Sequence, residues 1–456
     1  MRHNFLYFSR SSNRNSGFSD YDFNPYDQDG LGTNWPITYE DIRPYYDKTE
    51  AFIGVTGTVE GIRSAPDGIF QPAPPPKVHE ILIQKACQKL GIPCIPNRRA
   101  VITQPLNGRQ PCHYCGMCAR GCMTVSNYSS STVEILPALK SGRLTILDNS
   151  MARKILVDDE GKVMGVSYID KRTRQEKKIY CRVLVVAASA CESSRLLLNS
   201  KSRQFPRGLA NDSGVVGRFL MDTVGLGMYG YIPSLEGLPR YDTDGAGGAH
   251  LYMPWWLFDK KNKDFPRGYH IEIGGGYRMP AIGFGGSSIR RHGGYGQELK
   301  ESIRREYGCF VGLSGRGEMI PNNLSYCEID PDVVDQFGIP VLRFHFRWSD
   351  HEWKQARHME KTFRQIIETM GGTVQGLSKP GSEGQGISVP GTIIHEVGTV
   401  RMGNDARNSA LNRFNQGHET PNLFVVDGDH PSSELDANCQ IVHRLEALVR
   451  ELQEQA

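Results

Sequence analysis

The stretch HEVGTVRMGNDARNSALNRFNQGHETPNLFVVDGDHPSSELDAN, residues 395–438, sets in order a histidine, an apolar strand closing on Asp-Gly, and an asparagine ahead of a helix. NLFVVDG at 422–428 reads as a buried strand and Ile441 to Gln455 as a closing amphipathic helix. An acid and a glycine at the carboxyl end of a parallel strand lie where open α/β sheets bind cofactor phosphates, and a helix N-terminus favours developing negative charge. Asp427, Gly428 and Asn438 are therefore expected to line a bound cofactor. His395 suits proton transfer, since an imidazole titrates near working pH, although a histidine standing alone in a loop would read as structural. His113, His418, His430 and His443 have no such setting and read as surface or structural.

Upstream, a Gly/Ser/Pro linker from Gly371 to Gly391 follows a helix predicted at about His351 to Met370. Residues 225–350 are rich in glycine and alternate aromatic with polar residues in LRFHFRW, the texture of an antiparallel sheet with long loops. Trp255, Trp256, Tyr269 and His270 in that region suit hydroxyl binding or sugar stacking, but aromatic clusters are more often core and they carry no assignment. The runs GGG at 274–276 and GFGGSS at 283–288 read as loop glycines, following no buried strand and preceding no helix. The apolar run Val183 to Ala188 suits a buried parallel strand entering a helix at Glu192 to Asn199. Several strands with a turn at Asp159-Glu160-Gly161 precede it. Further upstream lie helices at about Val78 to Leu90 and after Thr38, whose cap pairs with Asp41, and a proline-rich connection at 72–76. The first 35 residues read as loop or surface arm.

A chain of 456 residues with 39% hydrophobic residues can bury a large core in two or more interleaved domains. Its net charge of +3 is the small difference between 53 basic and 50 acidic residues, spread without blocks, so nucleic acid or anionic membrane binding is not indicated. No apolar run approaches the roughly 18 residues that cross a bilayer. No export signal is visible, and the expected compartment is cytoplasm or periplasm.

An odd total of 11 cysteines in a large chain argues against a secreted disulfide scaffold. Cys112, Cys115, Cys118 and Cys122 are concentrated in CHYCGMCARGC, whose C-x2-C-x2-C-x3-C spacing is the bacterial ferredoxin pattern without the following proline. An iron-sulfur cluster is the expectation; zinc, a disulfide and free thiols stay open, although zinc usually takes ligands from two separated knuckles.

His-Glu-x-Gly-Thr-x-Arg-Met-Gly at 395–403, followed by Asn-Leu-Phe-Val-Val-Asp-Gly at 422–428, resembles the glucose-methanol-choline oxidoreductase family in order and spacing. WPITYEDIRPYYDKTE at 35–50 resembles its bacterial dehydrogenase branch, the gluconate, fructose, glucose and glucoside dehydrogenase large subunits. VVAASACESSRLLLNS at 185–200 resembles the strand-to-helix turn that branch holds against the adenosine side of FAD. The resemblance spans nearly the whole chain and implies an α/β (α+β) fold, an FAD-binding Rossmann-like unit with an antiparallel-sheet substrate domain. It places the units at 1–225, with the cysteine cluster, at 226–385 for substrate, and at 386–456 for the return to the FAD unit.

The same resemblance implies oxidation of a CH–OH group of a sugar, glycoside or polyol, with His395 taking the hydroxyl proton and Asn438 holding that hydroxyl. Ala152, Ala187, Ala188, Asp427, Gly428 and Asn438 would contact FAD. Branch members that hand electrons to a cytochrome carry a three-iron cluster on C-x5-C-x3-C, which Cys112, Cys118 and Cys122 match, with Cys115 as an extra thiol that would permit a four-iron cluster. A small subunit and a cytochrome acceptor are the implied partners. The family's opening strand with G-x-G-x-x-G, and its Thr-x-His-Trp element, are not found before Trp35, so an N-terminally truncated unit is expected. That leaves a second reading, a noncatalytic paralog unable to hold FAD. Asn438-Cys439-Gln440 stands where the family has Asn-Pro-Thr, and Ser189 where it often has glycine.

Overall fold

A computed structural model describes residues 19–238, 245–258, 264–276, 284–377 and 386–427. Short helical turns at Asp20–Phe23 and Pro25–Asp29 replace the expected surface arm, because Phe23 is fully buried with its ring 5.3 Å from that of Trp35. Helix α1 (Tyr39–Ile53) starts as the sequence predicts: the Asp41 carboxylate accepts the Thr38 backbone N–H at 2.8 Å and its hydroxyl at 2.9 Å. Helix α2 (Val78–Leu90) is closed at its start by Glu80, which takes the Lys77 N–H at 2.8 Å, and at its end by Gly91 in the left-handed region. The short strand β1 (Ile95–Pro96) follows.

Strands β2 (Ser150–Val157), β3 (Val163–Asp170) and β4 (Glu176–Tyr180) form an antiparallel three-stranded sheet in that order. The Asp158 carboxylate makes the turn between the first two, accepting the N–H groups of Glu160 and Lys162, with Gly161 at φ 84°. Strand β5 (Leu184–Val186) then runs into helix α3 (Ala190–Asn199) and pairs in parallel with the far downstream β15 (Leu423–Val425), Val186 opposite Val425.

Between them the chain builds β6 (Arg218–Met221), β7 (Val224–Tyr231), β8 (Leu251–Met253) and β9 (Tyr269–Gly275). Helices α4 (Phe284–His292) and α5 (Gly296–Glu306) come next, then β10 (Phe310–Gly317), β11 (Tyr326–Val334) and β12 (Pro340–His345). Helix α6 (Asp350–Thr369), β13 (Thr373–Leu377) and β14 (Val397–Thr399) complete the order before β15. The glycine runs differ from their loop reading. Gly274 and Gly275 close the buried strand β9, and Gly285 and Gly286 lie inside α4, whose basic last turn of Arg290, Arg291 and His292 complements the helix dipole.

The main sheet has six antiparallel strands in the order β13-β7-β10-β9-β8-β1, so Ile95–Pro96 joins the strands of the 226–385 region. A four-stranded sheet, β12-β11-β6-β14, ties 326–345 to 218–221 and to the segment after His395. Two cores result. One lies between the main sheet and α6, around Leu226, Ile271, Leu313, Phe363 and Ile366. The other lies beneath the parallel pair, around Val186, Leu197, Leu411, Leu423 and Val425. Among the described residues no helix is long and apolar enough to cross a membrane.

Candidate functional site

The two faces of the main sheet are chemically distinct because side chains alternate along each strand. Tyr269, Ile271 and Ile273 on β9 and Val311 and Leu313 on β10 are buried. Gly315 and Gly230 lie on this apolar face, where a Cβ at Gly315 would come within 2.5 Å of Met359 Sδ and one at Gly230 within 2.6 Å of Ile367, so the missing side chains let α6 sit close. The opposite face carries His270 and Glu272 on β9 and Ser314 and Arg316 on β10. In register, His270 faces Arg316 and Arg316 faces Gly225, while Glu272 faces Ser314 and Ser314 faces Gly227.

Gly225 explains how the histidine segment reaches this polar face. A Cβ there would collide with the Ile393 side chain, and the Gly225 carbonyl accepts the Ser388 N–H at 2.8 Å, so the 388–395 loop lies on the sheet beside Arg316. Asp222, only 2% exposed, fastens the other side of that loop. Its carboxylate accepts the Gly391 N–H at 3.0 Å, the Thr223 N–H at 2.7 Å and the backbone N–H of His395. Burial pushes its pKa up and those donors oppose the push.

The remainder of the 395–403 motif is a clasp. Gly398 has φ 85° and a Cβ there would strike the Phe219 carbonyl, which leaves glycine as the residue that fits. The Thr399 hydroxyl donates to the Ala190 carbonyl at 2.9 Å, joining the histidine segment to the first turn of α3. Arg401 stacks 4.7 Å over the Phe219 ring and donates to the Asn408 carbonyl.

His395 titrates below the ordinary histidine range, first because it is buried and then because Arg316 faces it; Glu272 and Asp222 oppose that shift and His270 adds to it. Arg316 Nη2 pairs with Glu272 Oε2 at 3.3 Å, and His270 Nε2 stands 3.7 Å from Glu272 Oε1. A partly buried imidazole biased toward its neutral form, beside a paired arginine and glutamate, has the properties of a general base.

At the carboxyl ends of β5 and β15, Ala187, Ala188 and Ser189 are exposed. Asp427 Oδ1 accepts the Ser189 N–H at 2.7 Å and its other oxygen accepts the Ser193 hydroxyl, while the Ala188 N–H donates to Ser193 Oγ at 3.1 Å. Burial raises the Asp427 pKa. Ser189 holds φ 74° in the left-handed region, so the backbone keeps the tight turn that a glycine often supplies. Exposed small residues at the end of a parallel pair, at a helix start, fit a dinucleotide cofactor. Ala152 stands exposed on β2 opposite Tyr168. Gly428, Asn438, Cys439, His430 and His443 lie outside the described residues.

Cys112, Cys115, Cys118 and Cys122 are free and partly buried. Cys118 Sγ accepts the Gly247 N–H at 3.2 Å, Cys112 Sγ the Tyr114 N–H at 3.4 Å and Cys122 Sγ the Asn127 N–H at 3.4 Å. The buried Arg99 faces Cys118 and Cys112, and Arg109 faces Cys122. These donors suit sulfur ligands in chemical type. Among the described residues, however, no three His, Cys, Asp or Glu side chains are gathered as a metal site.

The geometry thus sets a partly buried histidine beside a polar sheet face, and an exposed turn of small residues at the end of a parallel strand pair. Two family models described as GMC oxidoreductase match residues 33–222 and 322–443. The chain belongs to that family, the FAD-dependent oxidoreductases of alcohol and sugar CH–OH groups. It is 30% identical to the 2-methyl-1,2-propanediol dehydrogenase of Mycolicibacterium austroafricanum, over 90% of this chain and 73% of that one. It is 26% identical to the fructose dehydrogenase large subunit of Gluconobacter japonicus, over 89% of this chain and 72% of that one. The fold matches a formate oxidase variant from Aspergillus oryzae RIB40 with TM-score 0.58 and 13% identity, covering 94% of this chain and 81% of that one.

Three site residues escape motif reading: Asp222, Glu272 and Arg316. For Glu272 and Arg316 the signal is period-two alternation, polar at 270 and 272 between apolar 269, 271 and 273, and polar at 314 and 316, whereas Asp222 lies between two strands and carries no such signal. The same alternation sends Tyr269 into the core, where its hydroxyl lies 2.8 Å from His358 Nδ1 and its ring 4.8 Å from Trp255.

Proposed function

We propose that the chain oxidises a CH–OH group of a sugar, glycoside or polyol, with His395 as the base that takes the hydroxyl proton. The observation that carries this reading is the position of the partly buried His395 beside the polar sheet face, with its pKa pushed down so that the neutral, proton-accepting imidazole is favoured at neutral pH. Asp222 holds the His395 backbone and the clasp at Gly398 and Thr399 fixes its approach; Asn438 is the proposed second contact to the hydroxyl. Ala187, Ala188, Asp427 and Gly428, with Ala152 a further contact, would hold FAD, which would supply the acceptor for the hydride that leaves the carbinol carbon. Loss of that hydride and of the proton to His395 leaves a carbonyl product. The units of the activity are 1–225 and 386–456 for the cofactor and 226–385 for substrate.

The cysteine segment is proposed to hold an iron-sulfur cluster on Cys112, Cys118 and Cys122, with Cys115 as a fourth thiol, carrying electrons toward a small subunit and a cytochrome. The backbone donors to three of the sulfurs and the two arginines beside them support this assignment. The site of action is cytoplasm or periplasm.

Purified protein should show flavin bands near about 375 and 450 nm, and His395→Ala should keep them while turnover falls by about 10²–10⁴. Unchanged turnover removes His395 from its role. Iron and acid-labile sulfide should disappear together in Cys118→Ser; a colourless, iron-free wild type rejects the cluster.

A further inference from the structure

The polar floor beneath His395 contains more chemistry than proton removal requires. His270, Glu272 and Arg316 project from the face on which the 388–395 loop sits, and all three lie within electrostatic reach of His395. On the Arg316 side the loop covers this face, since the Ile393 side chain takes the space over Gly225, whereas beyond Glu272 the face is open, since Gly274 has no atom nearer than 3.9 Å to an added Cβ. The ion pair between Arg316 Nη2 and Glu272 Oε2 is 3.3 Å long, with the side chains 23% and 13% exposed. Arg316 Nε is buried and has no hydrogen-bond partner among the described residues. A guanidinium is a fixed fork, so an N–H left unmatched beside one bound to a carboxylate is a costly vacancy that a ligand oxygen relieves.

The charge balance selects the ligand. An anionic substrate would need a guanidinium not already neutralised, and here the Glu272 carboxylate both occupies Arg316 and repels a second anion. A neutral molecule with adjacent hydroxyls meets no such conflict: one hydroxyl donates to a carboxylate while the next accepts from a guanidinium.

We propose that Glu272 and Arg316 are the specificity-determining pair for a neutral vicinal diol, binding the hydroxyl next to the carbinol presented to His395. Glu272 Oε accepts the proton of that neighbouring hydroxyl, and Arg316 Nε donates to its oxygen or to the one beyond. The assignment rests on the reading of His395 as base, because the pair binds what that base then deprotonates.

The test uses the full FAD-loaded chain with three ligands of similar size: 1,2-propanediol, 1-propanol and lactate. Steady-state kinetics are measured alongside equilibrium binding by ligand-observed NMR, for wild type, Arg316→Gln, Glu272→Gln and the double variant, which removes both charges together should one unpaired charge prevent folding. Wild type should prefer the diol, and the variants should weaken its KM and its Kd by about tenfold or more and lose the preference for the diol over 1-propanol. Two outcomes overturn the proposal: diol binding equal to wild type in every folded variant, or a wild type that binds lactate best and loses it in Arg316→Gln. Failure of the base assignment looks different, since His395→Ala would then retain turnover while the binding preference stayed intact.

Discussion

The two faces of the six-stranded sheet obey the same alternation and serve opposite ends. On one, Ile271, Leu313 and Leu226 pack against α6, and glycines at 230, 315 and 317 exist because Met359, Ile367 and Gln355 fill the space a side chain would take. On the other, Gly225 makes way for Ile393 of the histidine loop and Gly274 has open space above it, and His270, Glu272, Ser314 and Arg316 place polar groups where a packed core would exclude them. Glycine on the first face admits a helix and on the second it admits the histidine loop. The residues between are the same backbone, so disturbing one face should be separable from disturbing the other.

Truncation on the packed face should have the largest effect. Phe363→Ala leaves a cavity in fully buried surroundings and should lower stability by about 3–5 kcal/mol in denaturant melts. A loss within a few tenths would mean that α6 is not the sheet's main cover. A matched glycine pair sharpens the comparison. Gly315→Ala pushes a methyl onto Met359 and should cost about 1–3 kcal/mol, whereas Gly274→Ala meets open space and should change stability by less than about 1 kcal/mol. Equal costs would erase the distinction between the faces.

The polar face answers in pH. With His395 as the proposed base, active when neutral, the acid limb of kcat/KM should follow its protonation and fall below the ordinary histidine value of about 6.5. Asp222, Glu272, Arg316 and His270 all face it. Removing the cation in Arg316→Gln should move the limb up, and removing the anion in Glu272→Gln should move it down, each by a fraction of a unit to about one unit. Shifts in the same direction would show that the limb reports another group. The smallest effect belongs to Ser314→Ala, which should leave stability within about 0.5 kcal/mol, since its half-buried hydroxyl packs against no core.

Much of this was legible in the chain. Thr38 with Asp41, the helix from Val78 to Leu90, and the helix now placed at Asp350–Thr369 follow from caps and 3.6-residue periodicity, which are local signals. The parallel pairing of Leu184–Val186 with Leu423–Val425 was readable as two apolar strands ending in small or acidic residues, although their register was not. The 395–403 motif gave His395 its place but not the reason for its glycine, which depends on a carbonyl from Phe219 far upstream. Asp222, Glu272 and Arg316 stayed hidden because each sits in a strand or turn with no motif, and only long-range pairing brings them under His395. The glycines at 285 and 286 were misread for the opposite reason: a local composition typical of loops was overruled by the basic helical turn that follows.

The central claim is that the partly buried histidine over the polar face performs the proton transfer. Its most direct test is anaerobic single-turnover reduction of the FAD-loaded enzyme by 1,2-propanediol, followed as bleaching near about 450 nm, in wild type and His395→Ala. The account predicts an unchanged starting spectrum and a reduction rate lower by about 10²–10⁴ in the variant. Reduction at the wild-type rate would contradict it.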